Sequence, residues 1–331
     1  MSGQATAERH NGRSRRRRLP QIHPIWFVLA ALIVAIIVYN PNFVQPVGYM
    51  NFLKRAAPLA ILAAGQVYVI VSGGFDLSVG STITLTVIGS SMLLNNNPDA
   101  TWWVILVMYA IGLSVGLING LVVSLLRVPS LIATLGMMIT LAGVALMWSG
   151  GAPRGYLPES FRYFGRANIT DIPLISILPV TLIVLAVFGG VMWWLMHRTN
   201  YGRLVHAVGD NPRAAMLAGV PVTRVRVIAF VISSLSAVTA GILLGGFAGV
   251  STDVGRGFEL QAITAAVLGG AQLLGGRGSV SGAIAGALTL TAIFTLLNFV
   301  GLPQPVREIV QGLILISAVA YAMHRRRHAA K

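Results

Sequence analysis

The sequence predicts an all-α integral membrane protein of about ten transmembrane helices, and three observations carry that expectation. Of its 331 residues, 55% are hydrophobic and only 10% charged, against roughly 25% charged in soluble domains. Short clusters of turn residues, such as Asn95-Asn96-Asn97-Pro98-Asp99 and Gly301-Leu302-Pro303-Gln304-Pro305, punctuate apolar blocks of helical length. Basic residues collect in alternate punctuations, the positive-inside pattern of a multi-pass chain with both ends in the cytoplasm.

A formal net charge of +15 suggests nucleic-acid binding until the charges are sorted by side. The segments read as cytoplasmic hold Arg9, Arg13, Arg15 to Arg18, Arg127, five arginines between Arg198 and Arg226, Arg277, Arg325 to Arg327 and Lys331. The segments read as external are nearly balanced. The excess is therefore topological, and anionic lipid headgroups are its natural partner.

Residues 1–22 read as an Arg-rich, disordered cytoplasmic tail, and 23–323 as the polytopic membrane domain. Ile25 to Tyr39 forms a short first span, retained because no small-residue cleavage pattern follows it. Phe43 to Arg55 is less apolar and reads as an external interfacial helix. Ala57 to Ser72 crosses back, Gly73 to Ser81 breaks the helix, and Ser81 to Leu94 returns outward. Trp103 to Leu126 comes in, Arg127-Val128-Pro129 turns, and Leu131 to Trp148 goes out. Gly150 to Pro173 is too polar to span and reads as external. Leu174 to Met196 returns to the cytoplasm.

The longest polar interruption, 197–226, follows. Within it Pro212 to Ala218 reads as a short helix, capped by Asp210 or Asn211, with Pro212 in its first turn and Gly219 ending it. So short a helix needs a surface to pack on, and lipid headgroups, the chain itself or another protein would each serve. Val227 to Phe247 then goes out, Ala248 to Gly257 turns outside, and Phe258 to Leu274 comes in. Gly275 to Ser279 makes a cytoplasmic turn, Val280 to Phe299 goes out, and Arg307 to Met323 comes in ahead of a basic tail, 324–331.

Two Gly-rich breaks, one in each half, echo each other: Gly73-Gly74 with Val79-Gly80-Ser81, and Gly275-Gly276-Arg277-Gly278-Ser279-Val280. Gly-interrupted helices repeated in this way are typical of transporter cores. Asp76 sits in the first break, and an ionisable group at membrane depth is a functional candidate. With Ser78 it either lines a path or gate, or caps the outward helix at the cytoplasmic surface; both readings stand. Gln66, Asn119, Thr134 and Ser233 are among the neutral polar groups that would suit a polyhydroxylated solute or would join helices to one another.

Several chemistries are excluded. A nucleotide-binding P-loop needs a lysine in its glycine loop, whereas the lysines here are Lys54 and Lys331. The six histidines fall in or beside cytoplasmic segments, with no HExxH pair or triad pattern. No cysteine offers a thiolate for a metal.

SGGFDLSVGS, AVGDNPRAAMLAGV and AVLGGAQLLGGRGSVSGAIAGA, in that order, resemble the permeases of ribose-type ABC importers. The resemblance covers about Val44 to Ala320. It implies a vitamin B12-permease-like, ten-span fold in the bacterial inner membrane, working as a dimer with a second copy or a paralogue. Two ATP-binding subunits would sit inside, carrying the ATP and Mg, and a periplasmic or lipid-anchored sugar-binding protein outside; no cofactor would reside in this chain. The cargo would be a monosaccharide such as ribose, or a related polyol.

The resemblance assigns Gly209, Asp210, Asn211, Pro212, Arg213, Ala214, Ala215, Ala218 and Gly219 to the coupling helix that docks on the ATPase. The path or gate would fall at Gly73, Gly74, Phe75, Asp76, Ser78, Gly275, Gly276, Arg277 and Gly278. Asp210 stands where the family more often has Gly, and Phe75 where it more often has an aliphatic residue. The competing reading is an ATP-independent secondary transporter or facilitator, for which Asp76 would be the ion-coupling group.

Overall fold

The computed structural model describes residues 24–172 and 176–329. The Arg-rich stretch 1–22 lies outside the described residues, as do 330 and 331. The described residues form thirteen α-helices and one hairpin: α1 (Ile25–Tyr39), α2 (Pro46–Val71), α3 (Val79–Leu94), α4 (Thr101–Ser124), α5 (Ser130–Ser149), α6 (Glu159–Arg166), β1 (Asn168–Ile172), β2 (Ser176–Pro179), α7 (Val180–Arg198), α8 (Asn200–Asp210), α9 (Pro212–Leu217), α10 (Val222–Ala248), α11 (Phe258–Leu268), α12 (Val280–Phe299) and α13 (Gln304–Ala329).

Helices α2 and α10 form the centre. Their most apolar stretches are 94% and 83% buried, while those of α5 and α7 are 17% and 28% buried. α10 packs against α2, α3, α4 and α6; α12 packs against α1, α2 and α11. Small side chains allow these approaches: a Cβ on Gly116 or Gly120 of α4 would strike the backbone of Val231 or Val227 in α10. Close backbone contact of this kind is how helices associate in lipid, where apolar burial supplies little drive. At the centre Tyr68 is fully buried and donates to the Met192 carbonyl of α7 at 2.5 Å.

Six helices among the described residues are long and apolar enough to cross a bilayer, namely α2, α4, α5, α7, α10 and α12. α1, α3 and α11 are apolar but shorter, with 15, 16 and 11 residues. With α13, each of the ten expected blocks contains a helix, yet they are not ten equal spans, and the block expected from Leu174 has β2 ahead of α7. α3 is short because the chain before it enters without helical structure. α11 is short for the same reason at its own start.

Several expectations are corrected. Phe43 to Arg55 is not a separate interfacial helix: after a single 3-10 turn, α2 runs unbroken from Pro46 through Pro58. A proline within a buried membrane helix is tolerated where neighbours satisfy the freed carbonyl. The segment 197–226 is mostly helical, because α8 occupies Asn200–Asp210 ahead of the short helix α9. The basic tail expected at 324–331 belongs largely to α13, which continues to Ala329.

The 248–257 turn does not stay outside but descends along α3, with Gly255 N donating to Thr84 Oγ1 at 3.2 Å. The all-α expectation misses one hairpin, in which Ile169 pairs with Leu178 and Thr170 with Ile177.

The segment expected to lie outside, 150–173, is fastened to α10 and α2. Phe161 of α6 is fully buried, Arg162 Nε donates to the Gly246 carbonyl of α10 at 3.3 Å, and Gly165 lies against Gly246. Lys54 Nζ of α2 donates to the Arg166 carbonyl at 2.5 Å and to Asn168 Oδ1 at 3.2 Å.

Candidate functional site: a helical corner joined to two helix breaks

The corner formed by α8 and α9 is built by sequence-local rules. Thr199 is extended and ends α7; α8 then runs to Asp210. Asn211, also extended, accepts from Arg213 N at 3.1 Å and Ala214 N at 3.0 Å, and Pro212 occupies the first turn of α9. The cap is therefore Asn211, while Asp210 closes α8. Gly219 takes a left-handed φ of 83° and lets the chain turn into α10. One face of α9 is tied down through Ala215, which is 6% exposed. Its other face stands free, with Arg213 and Ala214 exposed and Met216 and Leu217 at 61% and 87%.

The first break carries a buried polar network. Asp76 is fully buried; its Oδ1 accepts from Ser78 N at 3.0 Å and Ser78 Oγ at 2.6 Å, and its Oδ2 from Ser233 Oγ of α10 at 2.9 Å. Gln66 Nε2 of α2 donates to the Asp76 carbonyl at 3.1 Å, and Asn119 Nδ2 of α4 donates to Ser78 Oγ at 2.9 Å. The two backbone amides stranded by the break are taken by α5: Phe75 N donates to Ser130 Oγ at 3.0 Å and Leu77 N to Thr134 Oγ1 at 3.1 Å.

The carboxylate thus bonds the Ser78 amide at the start of α3, as a cap would, but it does so deep inside the protein. In this conformation its oxygens face Ser78 and Ser233, and its side chain lines no open surface. A buried carboxylate holding that many donors fixes an irregular segment of the chain.

The second break lies against the first. Gly276 N donates to the Val71 carbonyl at the end of α2 at 2.8 Å, and Gly278 lies against Val71 and Val67. Arg277 is exposed, and its carbonyl accepts from Gln272 N at 2.8 Å. Into this meeting point α8 brings Gly209. A Cβ there would overlap the Val71 carbonyl oxygen and the Gly276 nitrogen, and Gly275 in turn faces Gly73 and Gly209. His206 Nδ1 lies 2.8 Å from the Gly276 carbonyl, and the Asp210 carboxylate lies against Gly276.

Three stretches singled out separately in the sequence, around residues 73, 209 and 276, therefore share one contact. Gly74 packs apart from it, against Val69, Phe230 and Ser130, and Phe75 packs on the central apolar cluster. Ala218 ends α9 on the exposed side. Sequence reasoning missed Ser130, which lies between the Arg127-Val128-Pro129 turn and the block from Leu131 and accepts from Phe75 N. It also placed Glu259 outside, although its side chain lies against Gly80 in the first turn of α3.

The chain is similar to known permease proteins along most of its length. Residues 48–319 match the family described as branched-chain amino acid transport system / permease component. The autoinducer 2 import system permease protein of Klebsiella pneumoniae is 36% identical over 312 residues, covering 91% of this chain and 88% of that protein. The ribose import permease protein of Bacillus subtilis is 33% identical over 294 residues, 88% of this chain and 89% of its own. The L-arabinose transport system permease protein of Escherichia coli is 33% identical over 301 residues, 91% and 90%. No solved structure matches. Matched along nearly its whole length by the family and by these relatives, the chain belongs to the permease family of ribose-type ABC importers.

Proposed function

We propose that this chain is the membrane-spanning subunit of an ABC importer that moves a monosaccharide or related polyol by ATP-driven alternating access. The observation that carries the reading is the shared contact of Gly209, Gly276 and the end of α2. A displacement of the α8–α9 corner is felt at once by both helix breaks. The free face of α9, with Arg213, Met216 and Leu217, is where an ATP-binding subunit would dock, and ATP and Mg would reside on that subunit.

Ten spans in a vitamin B12-permease-like fold, with both termini in the cytoplasm of a bacterial inner membrane, fit the placement of basic residues. α5, the least covered of the long apolar helices, is the natural contact for a second permease copy or paralogue. A periplasmic or lipid-anchored sugar-binding protein would deliver cargo from outside. Moving a two-state equilibrium from 1:99 to 99:1 takes about 5.5 kcal/mol of differential binding, which nucleotide on the partner would supply.

The ATP-independent alternative needs Asp76 free to take an ion. Its three hydrogen bonds to Ser78 and Ser233 favour a holding role instead. The deciding experiment is gentle purification with the host's own partners, before and after Ala214→Glu and Met216→Glu. Loss of a co-purifying P-loop ATPase in the variants supports the reading. Purification of the chain alone, with uptake that persists without ATP, defeats it.

A further inference from the structure

The segment 249–257 follows a course that a surface turn would not. α3 rises about 24 Å over its 16 residues. Its far end belongs to the external side, where Ser91 Oγ donates to the Arg154 carbonyl at 2.8 Å and Asn96 N to the Tyr156 carbonyl at 3.2 Å. Along the helix axis, Gly80 therefore lies about 20 Å below that level, well inside a hydrocarbon core of about 30 Å.

The 249–257 segment reaches down to this depth. Gly255 N bonds Thr84 Oγ1, and a Cβ on Gly255 would overlap the Gly80 carbonyl. α11 starts only at Phe258, and a Cβ on Gly80 would fall on Glu259 Oε2. The first turn of α3 is thus flanked by two irregular segments, 72–78 below and 249–257 beside it, one from each half of the chain.

Irregular backbone at membrane depth persists only where protein buries it or where it lines water. Here the side chains decide between those cases. Asp253 and Arg256 are exposed, Glu259 and Ser81 are half-buried, and among the described residues no ion pair within 4.0 Å joins Arg256 to either acid. Charged side chains exposed at this depth are incompatible with lipid and point to an aqueous pathway. Midplane sites where broken segments of two repeats meet are also where transporters hold cargo.

We propose that the segment from Ser251 to Leu260 lines the translocation path at mid-membrane, and that Asp253, Arg256 and Glu259 supply hydrogen bonds to a neutral polyhydroxylated cargo. Carboxylates accept from neighbouring hydroxyls, and the guanidinium donates to hydroxyl or ring oxygens, so a solute without charge is held by groups that replace its water. The cargo class rests on the function proposed above; the lining does not.

The chain has no cysteine, so in single-cysteine variants of the full complex in vesicles any label found on this chain reports the introduced position alone. Arg256→Cys is compared with Asp99→Cys in the external turn and with Leu106→Cys, 71% exposed on an apolar helix face. A charged, membrane-impermeant thiol reagent is expected to modify residues 256 and 99 and to spare 106. Arg256→Cys, which removes a proposed cargo contact, is itself expected to lower uptake; modification is expected to cut what remains at least tenfold, and modification at 99 to leave uptake unchanged. A residue 256 that is spared, or modified without loss of uptake, overturns the lining.

Glu259→Gln is expected to lower uptake at least tenfold; uptake within twofold of the parent overturns its contact role. Should that variant not assemble, protection of Arg256→Cys from the reagent by ribose and other free monosaccharides decides the contact, and absence of protection overturns it. Failure of the importer reading would show separately, as absence of ATP-dependent uptake by the unmodified complex.

Discussion

Gly209→Ala adds one methyl group at the point where the α8–α9 corner meets both helix breaks. The backbone of Gly209 is helical and not left-handed, so alanine is conformationally acceptable and the effect isolates the contact. The new Cβ has no room: the Val71 carbonyl oxygen and the Gly276 nitrogen occupy its place, and both are backbone. Relief requires α8 to move off α2, which weakens the Gly276 N to Val71 O bond and the His206 to Gly276 O contact, each 2.8 Å.

Two lost hydrogen bonds cost about 1–3 kcal/mol together, and overpacking adds about 1–3 kcal/mol. If the two alternating states share this load unequally by about 2 kcal/mol, their ratio shifts about 30-fold. The assay is the reconstituted complex, read for ATP hydrolysis and sugar uptake together. Uptake is expected to fall 10- to 100-fold while the ATP-binding subunit stays attached, so that more ATP is consumed per sugar moved. Gly190→Ala in α7, where a Cβ meets nothing within 4 Å, is the control and is expected to be neutral or slightly stabilising. Parental uptake and parental melting temperature in Gly209→Ala would refute the reasoning.

Asp76→Asn keeps the size but gives up the charged acceptor of Ser78 and Ser233, and is expected to cost about 1–3 kcal/mol of stability in detergent melting; an unchanged melting temperature would count against the network. Asn211→Ala removes both cap bonds of α9, worth about 1 kcal/mol, and is expected to weaken capture of the ATP-binding subunit about fivefold in a pull-down titration, with Asn211→Ser restoring it. Ser130→Ala with Thr134→Val strands the Phe75 and Leu77 amides, and hydrogen exchange at 73–78 is expected to quicken at least tenfold while that of α2 stays slow.

Much of this architecture is legible in the amino-acid sequence, for local reasons. The Asn211-Pro212 start of α9, the breaks at Gly73 and Gly275, and the alternation of basic loops each follow from chemistry within a few residues. The meeting of residues 73, 209 and 276 does not, because no local rule says that glycines some 70 to 200 positions apart exist for one another's sake. The depth of Glu259 is hidden for a different reason. Gly255-Arg256-Gly257 reads as an exposed turn on composition, and only its bond to Thr84 shows that the turn is inside. The unbroken α2 is masked by Lys54 and Arg55, which look too polar for a span; Lys54 instead bonds the end of α6.

The fastening of α6 has a mechanical consequence. Its anchors, Lys54 and the Gly246 carbonyl, belong to α2 and α10, whose inner stretches hold Gln66 and Ser233 of the Asp76 network. A push on the outer face of α6 is not absorbed by a loose loop. In the transport cycle proposed above it would travel down two stiff rods to the bend in the chain that the α8–α9 corner also contacts, so that both ends of the helix bundle would bear on one joint.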